Sequence, residues 1–592
     1  MTVYRGHCHR PPRGGFLLRA ACRCAAIRSR ARCWTAALVS LLSLVGAPAA
    51  LGMEVPRGAR PPQQAVASAH PLATAAGMEI LAAGGNAFDA AVAVSAALAV
   101  VEPYSSGIGG GGFWLLHRAR DGRQVMLDGR ERAPLAAHRD LYLDESGDVV
   151  PGLSMDGPLA AAIPGEPAAL AHLAEHYGQV PLATSLAPAI RLAETGFEVD
   201  EHYRKMARFR LAVLQDSTDA ARTFLHQGQV PASGHVVRQP ELAATLRTLA
   251  ARGRAGFYQG EMADRLVAGV ARAGGIWTLQ DLEQYRVIER DPLVFEYAGM
   301  RIVSAPPPSS GGVALATMLN TLAGFDLQGD DDATRVHLIV EAMRRAYRDR
   351  AEYLGDPDHV EVPVQRLVHP WYAAGLRAGM RRDRATPSAA LPGGVGRIGA
   401  AHTTHFSILD RAGNRVAATL SINYPFGSGF VVPGTGVLLN DEMDDFSAKP
   451  GVPNAYGLVG AEANAIAPGK RPLSSMTPTF VETAQGVALL GTPGGSRIIT
   501  MVLLGILDLA AGRPPSSWVS LPRFHHQYLP DVIQYEPGAF SASVQETLQA
   551  MGHQLRPLED RYGNMQAVFW AYGENRVEAA SDPRGIGAAR VE

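Results

Sequence analysis

Apolar and small residues form two blocks in the N-terminal part of the chain, and each block predicts a helix. The first covers residues 71–83 and stops at Gly84 and Gly85, which favour helix termination. The second covers residues 88–101. Its uninterrupted apolar run of residues 90–101 is too short to span a membrane and is typical of a buried helix.

A glycine-rich run at residues 107–112 follows the second helix. It formally contains the G-x-G-x-x-G pattern of dinucleotide-binding loops, but it precedes a strand-like segment, residues 113–117, instead of following one. We therefore expect these glycines to allow close backbone packing. The strand-like segments on either side of Asp121 and Gly122 predict a hairpin.

The pattern changes twice further along the chain. Residues 165–385 are rich in Ala, Leu and Arg and are predicted to be mainly helical, whereas residues 386–399 read as an exposed loop rich in Pro, Gly and Ala. After residue 403, strand-like runs separated by glycine turns predominate. Two late helices are predicted at residues 496–511 and 543–552.

Charge and cysteine content point to export. Residues 1–52 contain eight arginines and no acid, and their removal changes the formal charge from -1 to -9. An apolar run at residues 34–45 and a small-residue segment at 47–50 complete a signal-peptide pattern, so we predict a signal peptide at residues 1–50 and a periplasmic or secreted protein. All four cysteines lie in this leader, which excludes disulfides and thiolate nucleophiles from the exported chain.

Thr403 is the strongest candidate for chemistry. It opens a strand-like segment directly after the predicted loop. If the preceding peptide bond is cut, its hydroxyl is a nucleophile and its own α-amine, with an ordinary pKa of about 7.7–8.0, is a base. Taken alone, a threonine at a strand start is most often just a buried strand residue.

A second candidate is the run from the strand-like residues 487–490 through Gly494 and Gly495 into an apolar helix. A strand, a glycine turn and a helix start leave backbone N–H groups free to bind an anion. No P-loop lysine is present, so an oxyanion hole is favoured over a phosphate site. A plain tight turn is the simpler alternative.

Charged and hydroxyl residues supply two more candidates. The guanidinium of Arg130 and the hydroxyls of Ser474 and Ser475 suit a carboxylate, and the acidic run at residues 441–445, with Asn423, suits an ammonium group. A solvated surface is the alternative for each. Adjacent imidazoles at 525 and 526 would point to opposite faces of a strand, so no metal site is predicted.

Together these segments resemble the γ-glutamyltransferase family of N-terminal nucleophile hydrolases. The resemblance covers about residues 65–591 and rests on several blocks in the right order. It implies an α+β fold with a four-layer αββα sandwich. It also implies a precursor that cuts itself between His402 and Thr403 into a large subunit, residues 51–402, and a small catalytic subunit, residues 403–592.

The resemblance also implies roles within the site and requires no cofactor. Thr403 would attack a γ-glutamyl amide such as that of glutathione, and the acyl group would pass to water or to an amino acid or dipeptide. Ser421 stands where many members have a second threonine that contacts the nucleophile. The remaining roles implied are oxyanion binding by Gly494 and Gly495, α-carboxylate binding by Arg130, Ser474 and Ser475, α-ammonium binding by Asn423, Glu442 and Asp445, and a lid loop at residues 446–457 that contains Tyr456.

Three other functions compete with this one. A glutaryl- or cephalosporin-type acylase on the same scaffold would have no cation to place beside Glu442 and Asp445, and uncompensated buried charge costs several kcal/mol. A poly-γ-glutamate enzyme needs an open groove, which the lid opposes. A non-catalytic binding homologue would have no reason to keep Thr403 together with the glycine turn.

Overall fold

The computed structural model describes residues 60–391 and 403–592. The predicted signal peptide at residues 1–50, His402 and most of the predicted loop ahead of Thr403 lie outside the described residues.

The described chain contains eighteen α-helices, and those predicted from the apolar pattern are confirmed with boundaries shifted by one or two residues. The α-helices are α1 Pro71–Ala82, α2 Ala87–Val101, α3 Glu166–His176, α4 Leu182–Thr195, α5 Glu201–Phe209, α6 Leu211–Asp216, α7 Thr218–Phe224, α8 Pro240–Arg252, α9 Ala255–Tyr258, α10 Gly260–Arg272, α11 Leu279–Gln284, α12 Gly311–Leu322, α13 Asp332–Tyr353, α14 Val364–Leu367, α15 Pro370–Ala378, α16 Ile498–Ala510, α17 Pro515–Ser520 and α18 Ala542–Ala550.

The strands include the predicted hairpin and the strand run that follows residue 403. They are β1 Ala65–Ser68, β2 Gly111–Arg118, β3 Arg123–Gly129, β4 Phe197–Glu198, β5 Val236–Val237, β6 Ile288–Arg290, β7 Leu293–Tyr297, β8 Met300–Ser304, β9 Thr404–Leu409, β10 Arg415–Ser421, β11 Val431–Val432, β12 Val437–Leu438, β13 Thr479–Glu482, β14 Gly486–Gly491, β15 Phe524–His525, β16 Ile533–Tyr535, β17 Leu555–Pro557, β18 Gln566–Ala571, β19 Arg576–Ser581 and β20 Ala588–Val591.

Two large antiparallel sheets form the centre of the fold. The first has the strand order β20-β1-β9-β10-β2-β3-β6, and the second has the order β19-β18-β14-β13-β8-β7. Strands β9 and β10 pack against β14 and β18, so the sheets lie face to face. Helices α1, α2 and α3 cover the outer face of the first sheet, and α12, α16 and α17 cover that of the second. The predicted αββα sandwich is confirmed.

Side chains along β9 show how the sequence specifies these layers. Phe406 and Ile408 join the core beneath α2. Ser407 and Leu409 point the other way, into the space between the sheets, where the Ser407 hydroxyl donates to the carbonyl oxygen of Gln566 in β18. Successive side chains of a strand alternate between its two faces. Since both faces of β9 are covered, one by α2 and the other by the second sheet, its first residues lie deep in the molecule.

The glycine run does allow close backbone packing, as predicted. A Cβ on Gly110 would lie 2.2 Å from the carbonyl oxygen of Ser421, and one on Gly111 would lie 2.2 Å from that of Gly129. Such distances are far shorter than van der Waals contact. The run therefore brings the loop after α2 against the ends of β3 and β10.

Residues 165–385 are mainly helical, as predicted, although β6 joins the first sheet there and β7 and β8 join the second. One expectation needs correction. The start of the predicted exposed loop is instead anchored. Ser388 is buried, its backbone N–H donates to Asp531, and its hydroxyl accepts from Arg344. The loop pattern did not reveal these ion-paired partners, which are distant in sequence.

Among the described residues, no helix has both the length and the apolar character needed to cross a membrane.

Candidate active site

Thr403 lies at the entrance to β9 and is only 6% exposed. It lines two adjoining spaces. One is a narrow inner cavity, and the other is an outer cleft of about 950 Å³ that also contains Gly494 and Glu102. A group held in the inner cavity would therefore meet the Thr403 hydroxyl with its other end directed into the outer cleft.

The inner cavity brings together almost all of the residues predicted from the sequence. They come from the end of β3, the entrance to β9, the end of β10, the short 3-10 turns at Glu442–Asp445 and Gly495–Arg497, and the loops between them. The predicted residues that line the cavity are Arg130, Thr403, Ser421, Asn423, Glu442, Asp445, Tyr456, Ser474, Ser475 and Gly495.

Arg130 is the central charged group. Its Nη1 donates to Glu442 Oε2 at 2.5 Å, and its Nη2 donates to Asp445 Oδ2 at 2.5 Å. Nη1 also lies 3.4 Å from Glu131 Oε2, and Nε donates to the carbonyl oxygen of Pro472 at 3.2 Å. One buried guanidinium thus faces three carboxylates. The solvated-surface alternative for Arg130 and the acidic run is wrong.

Burial changes the ionisation of these acids. It raises the pKa of Glu131 to about 7, although the nearby Arg130 opposes the change. Burial also holds the pKa of Glu442 above its usual range, and the neighbouring carboxylates of Glu131 and Asp445 add to the effect. The cluster therefore contains more carboxyl groups than its one guanidinium can keep ionised, and a cationic ligand group would stabilise their charged forms.

Asn423 and Tyr456 close one side of the cavity. Asn423 has φ 73°, the left-handed region, and its side-chain amide donates to the carbonyl oxygen of Asp441 at 2.9 Å. The Tyr456 hydroxyl donates to the carbonyl oxygen of Asn423 at 2.8 Å. The predicted lid loop is thus fastened to the loop that follows β10.

Ser474 and Ser475 line the same cavity from the loop before β13. The Ser474 hydroxyl accepts from the backbone N–H of Met476 at 3.0 Å, and the Ser475 hydroxyl accepts from Arg350 Nη2 at 3.2 Å. Both serines are buried, which rules out the solvated alternative. Arg350 was not predicted, because nothing in the sequence of α13 separates this buried arginine from its charged neighbours.

The glycine turn follows β14 as predicted. Gly494 has φ 141° and Gly495 has φ 52°, and a 3-10 turn at Gly495–Arg497 leads into α16. Gly495 lines the inner cavity, while Gly494 lines the outer cleft beside Thr403. This strand, turn and helix start match the geometry that leaves backbone N–H groups unpaired.

Ser421, at the end of β10, lines the inner cavity together with Thr403. Its hydroxyl accepts from the backbone N–H of Asn423 at 2.8 Å. In this structure Ser421 therefore orients the loop that carries Asn423.

Glu102 was also missed by the sequence reasoning. It is buried at the end of α2, and its Oε2 accepts from the hydroxyl of Thr404, the neighbour of Thr403, at 2.8 Å. Burial raises the pKa of Glu102 to about 7. The only sequence signal was an acid directly after a long apolar helix.

His525 and His526 point to separate partners. His525 Nδ1 lies 2.9 Å from the Thr500 hydroxyl, and His526 Nε2 lies 3.1 Å from Asp531. Within the part of the chain that the structure describes, no group of three or more potential ligand side chains is placed to hold a metal ion.

Comparison with known proteins identifies the family. A sequence model of the family described as gamma-glutamyltranspeptidase matches residues 73–591. The chain is 43% identical over 535 residues to the glutathione hydrolase proenzyme of Pseudomonas sp. (strain A14), with 88% of this chain and 92% of that protein covered. It is 40% identical over 533 residues to the glutathione hydrolase proenzyme of Escherichia coli (strain K12), with 89% and 91% covered.

One solved structure extends the likeness to the fold. The crystal structure of cephalosporin acylase from Bacillus halodurans aligns with a TM-score of 0.79 at 29% identity, and the alignment covers 90% of this chain and 96% of that chain.

Proposed function

The chain belongs to the gamma-glutamyltranspeptidase family, and from that premise we propose that Thr403 is the nucleophile with which it acts. The protein is a self-processing enzyme that cleaves γ-glutamyl amide bonds, and its precursor gives two subunits. The observation that carries the assignment to Thr403 is its position where the inner cavity meets the outer cleft. A γ-glutamyl group in the cavity would present its amide carbon to Thr403 and its leaving group to the cleft.

Maturation begins with the same residue. The Thr403 hydroxyl attacks the carbonyl carbon of His402, the peptide C–N bond breaks, and an ester replaces it while the Thr403 amine is released. Water then hydrolyses the ester. The products are a large subunit ending at His402 and a small subunit, residues 403–592, whose free amine serves as the base in turnover.

In turnover the Thr403 oxygen attacks the γ-carbonyl, and the backbone N–H groups of Gly494 and Gly495 stabilise the oxyanion. An oxyanion donor is worth about 2.7–4 kcal/mol of transition-state stabilisation. The amine leaves through the outer cleft, and water or an amino acid or dipeptide then takes the acyl group from Thr403. Glutathione is the substrate we propose.

Recognition of the glutamyl α-carbon groups follows from the charges around Arg130. The α-ammonium would take the place of Arg130 beside Glu442 and Asp445, assisted by Asn423. This exchange would free the guanidinium to bind the α-carboxylate together with Ser474 and Ser475. The inner cavity has only about 20 Å³ of free space, about enough for one water, so such a rearrangement must accompany entry.

The test of this proposal is the intact mass of the purified protein. Wild-type protein should give two fragments, the smaller beginning at Thr403. Thr403→Ala should stay uncut and inactive, whereas Thr403→Ser, which keeps a hydroxyl, should cut at the same bond. A Thr403→Ala protein that is still cut there would disprove the mechanism.

A cephalosporin- or glutaryl-type acylase is the second candidate, because a solved acylase shares the fold. Arg130 already compensates part of the charge of Glu442 and Asp445, so those acids oppose an acylase less strongly than the sequence argument held. Three carboxylates around one arginine still favour a ligand that brings an ammonium group. A glutaryl group has none.

The two candidates are separated by Asp445→Ala. For a γ-glutamyl enzyme, this change should lower kcat/KM for γ-glutamyl-p-nitroanilide far more than for glutaryl-p-nitroanilide. Equal losses on both substrates would favour the acylase.

We also propose that the segment at residues 1–50 directs export to the periplasm or the medium, which agrees with its arginines and its apolar run. N-terminal sequencing of the large subunit from a periplasmic extract tests this proposal. A large subunit that still begins at residue 1 would contradict it.

A further inference from the structure

A second cleft, of about 620 Å³, lies at the far end of the first sheet from Thr403. It is bordered by the β2–β3 hairpin, the turn between β9 and β10, and the loop after α3. Strand β10 runs from Arg415 at this cleft to Ser421 in the inner cavity, and seven strand residues span roughly 20 Å. We call this space the basic cleft. It is separate from the site of the γ-glutamyl reaction.

The charged side chains that line the basic cleft are all arginines. They are Arg60, Arg118, Arg120 and Arg415, and no Asp or Glu lies in the lining. This contrasts with the mildly acidic body of the chain. The exposed arginines at its rim give the cleft a positive surface that attracts anions.

Several acids contact lining residues from outside the cleft, and each is already engaged. Asp121 pairs with Arg118 at 2.6 Å, and Asp410 accepts from the side chain of Asn414 at 2.7 Å. Glu289 accepts from the hydroxyl of Tyr177, and Asp89 accepts from the backbone N–H of Gln179. Arg60 and Arg120 are exposed, and among the residues that the structure describes neither forms an ion pair, although Asp121 lies close enough to Arg120 to interact with it electrostatically. Two guanidinium groups therefore remain available at the rim.

Buried polar groups beside the cleft also lack partners. Arg415 is 2% exposed, and its Nη1 pairs with Glu482 while its Nη2 donates to His117 Nε2. That bond leaves Nδ1 of the neutral His117 ring as a donor. Within the described chain, His117 Nδ1, Arg415 Nε and Trp570 Nε1 have no hydrogen-bond partner. Buried donors without partners are rare in folded proteins, because each has lost its hydrogen bonds to water without a replacement.

We propose that the basic cleft binds a small organic polyanion that carries carboxylate or phosphate groups. The planar guanidinium of arginine binds both groups through paired N–H bonds. Exposed Arg60 and Arg120 would make the first contacts, and the unpaired donors of His117 and Arg415 lie deeper. The volume suits a metabolite-sized ligand and is too small for a folded partner.

Isothermal titration of the processed enzyme tests this inference, with citrate as the carboxylate probe and tripolyphosphate as the phosphate probe. We expect one ion to bind per enzyme molecule. The Arg60→Gln/Arg120→Gln double variant should weaken binding at least tenfold. The stronger of the two probes identifies the anionic group that the cleft prefers.

Two control variants locate the binding. Arg272→Gln changes an exposed arginine on α10, away from both clefts, and should leave the affinity unchanged. Arg556→Gln removes an exposed arginine of the outer cleft and should also leave it unchanged. The inference is overturned if neither probe binds wild-type enzyme, if the double variant binds as tightly as wild type, or if Arg556→Gln weakens binding as much as the double variant.

Discussion

Glu166 is a buried carboxylate whose ionisation the fold opposes. It lies in the first turn of α3, and neither carboxylate oxygen has a hydrogen-bond partner in the described chain. Burial alone raises its pKa from 4.5 to about 8. Between these values the folded protein keeps a proton that the unfolded chain releases, so the free energy of unfolding falls as the pH rises through this window.

The first prediction follows from that sign. Glu166→Gln cannot ionise, so its thermal midpoint relative to wild type should rise between pH 5 and pH 8.5. The corresponding gain in the free energy of unfolding, relative to wild type, is at most about 5 kcal/mol. The matched control is Glu175→Gln, which changes an exposed acid on the same helix and should show no pH trend. A difference between Glu166→Gln and wild type that is equal at both pH values would contradict this account.

The second prediction concerns the geometry of Arg130. Lysine keeps the positive charge but cannot bridge Glu442 and Asp445 with two nitrogens. Arg130→Lys should therefore lower kcat/KM for γ-glutamyl substrates about 100-fold, mainly through KM. Arg132→Lys, two residues away, changes a guanidinium that donates to the carbonyl of Gly469 and should have little effect. Equal losses of activity in both variants would contradict a specific role of Arg130 in substrate binding, because they would show a general effect of replacing an arginine in this loop.

Sequence reasoning could identify Arg130 and Glu442 because arginine, serine and clustered acids suit the two charged ends of an amino acid. It could not show that these residues pair with each other in the absence of a ligand. Nor could it find Glu102, because the importance of this acid to the site comes from its contact with Thr404, about 300 positions away. Side-chain pairing across sheets is a tertiary property that local patterns do not carry.

At the scale of elements, the turn between β14 and α16 supports the third prediction. A Cβ on Gly494 would lie 2.6 Å from the flexible end of Met501, and φ 141° disfavours any other residue. Gly494→Ala should therefore fold but shift the N–H groups of the turn, with a loss of about 10²–10³ in kcat. Steady-state kinetics after confirmed processing measures this.

The matched control for this turn is Gly512→Ala. Gly512 also has a positive φ, at 76°, but no atom lies near its missing Cβ, and it follows the far end of α16. Gly512→Ala should cost stability without changing kcat. Similar kinetic losses in both variants would mean that strain alone explains the effect of Gly494→Ala.

Elements marked by long apolar runs or a clear turn were predictable, and α1, α2 and the β2–β3 hairpin agree with the apolar pattern. The short strands β7 and β8 were not predicted, because they are embedded in a helical region. They become part of the second sheet because they pair with each other and because β8 also pairs with β13. The sequence of a five-residue strand does not by itself predict a strand, because its conformation depends on the strand with which it pairs.

For the whole molecule, the key fact is that each sheet mixes strands from both sides of residue 403. Strand β1 lies between β20 and β9 in the first sheet, and β8 pairs with β13 in the second. A cut before Thr403 therefore leaves backbone ladders and a shared core joining the two subunits. Neither sheet is complete in one subunit alone.

The fourth prediction is that the cut subunits separate only when the fold is lost. The processed enzyme should elute as one species of undivided mass in size exclusion, although it gives two bands after denaturation. In a urea titration, dissociation of the subunits and loss of far-UV circular dichroism should share one midpoint. The uncut Thr403→Ala protein is the control, because its subunits stay covalently joined and its unfolding does not depend on protein concentration. A urea range in which free subunits retain native-like helix and strand content would show that each half folds independently, contrary to the mixed sheets.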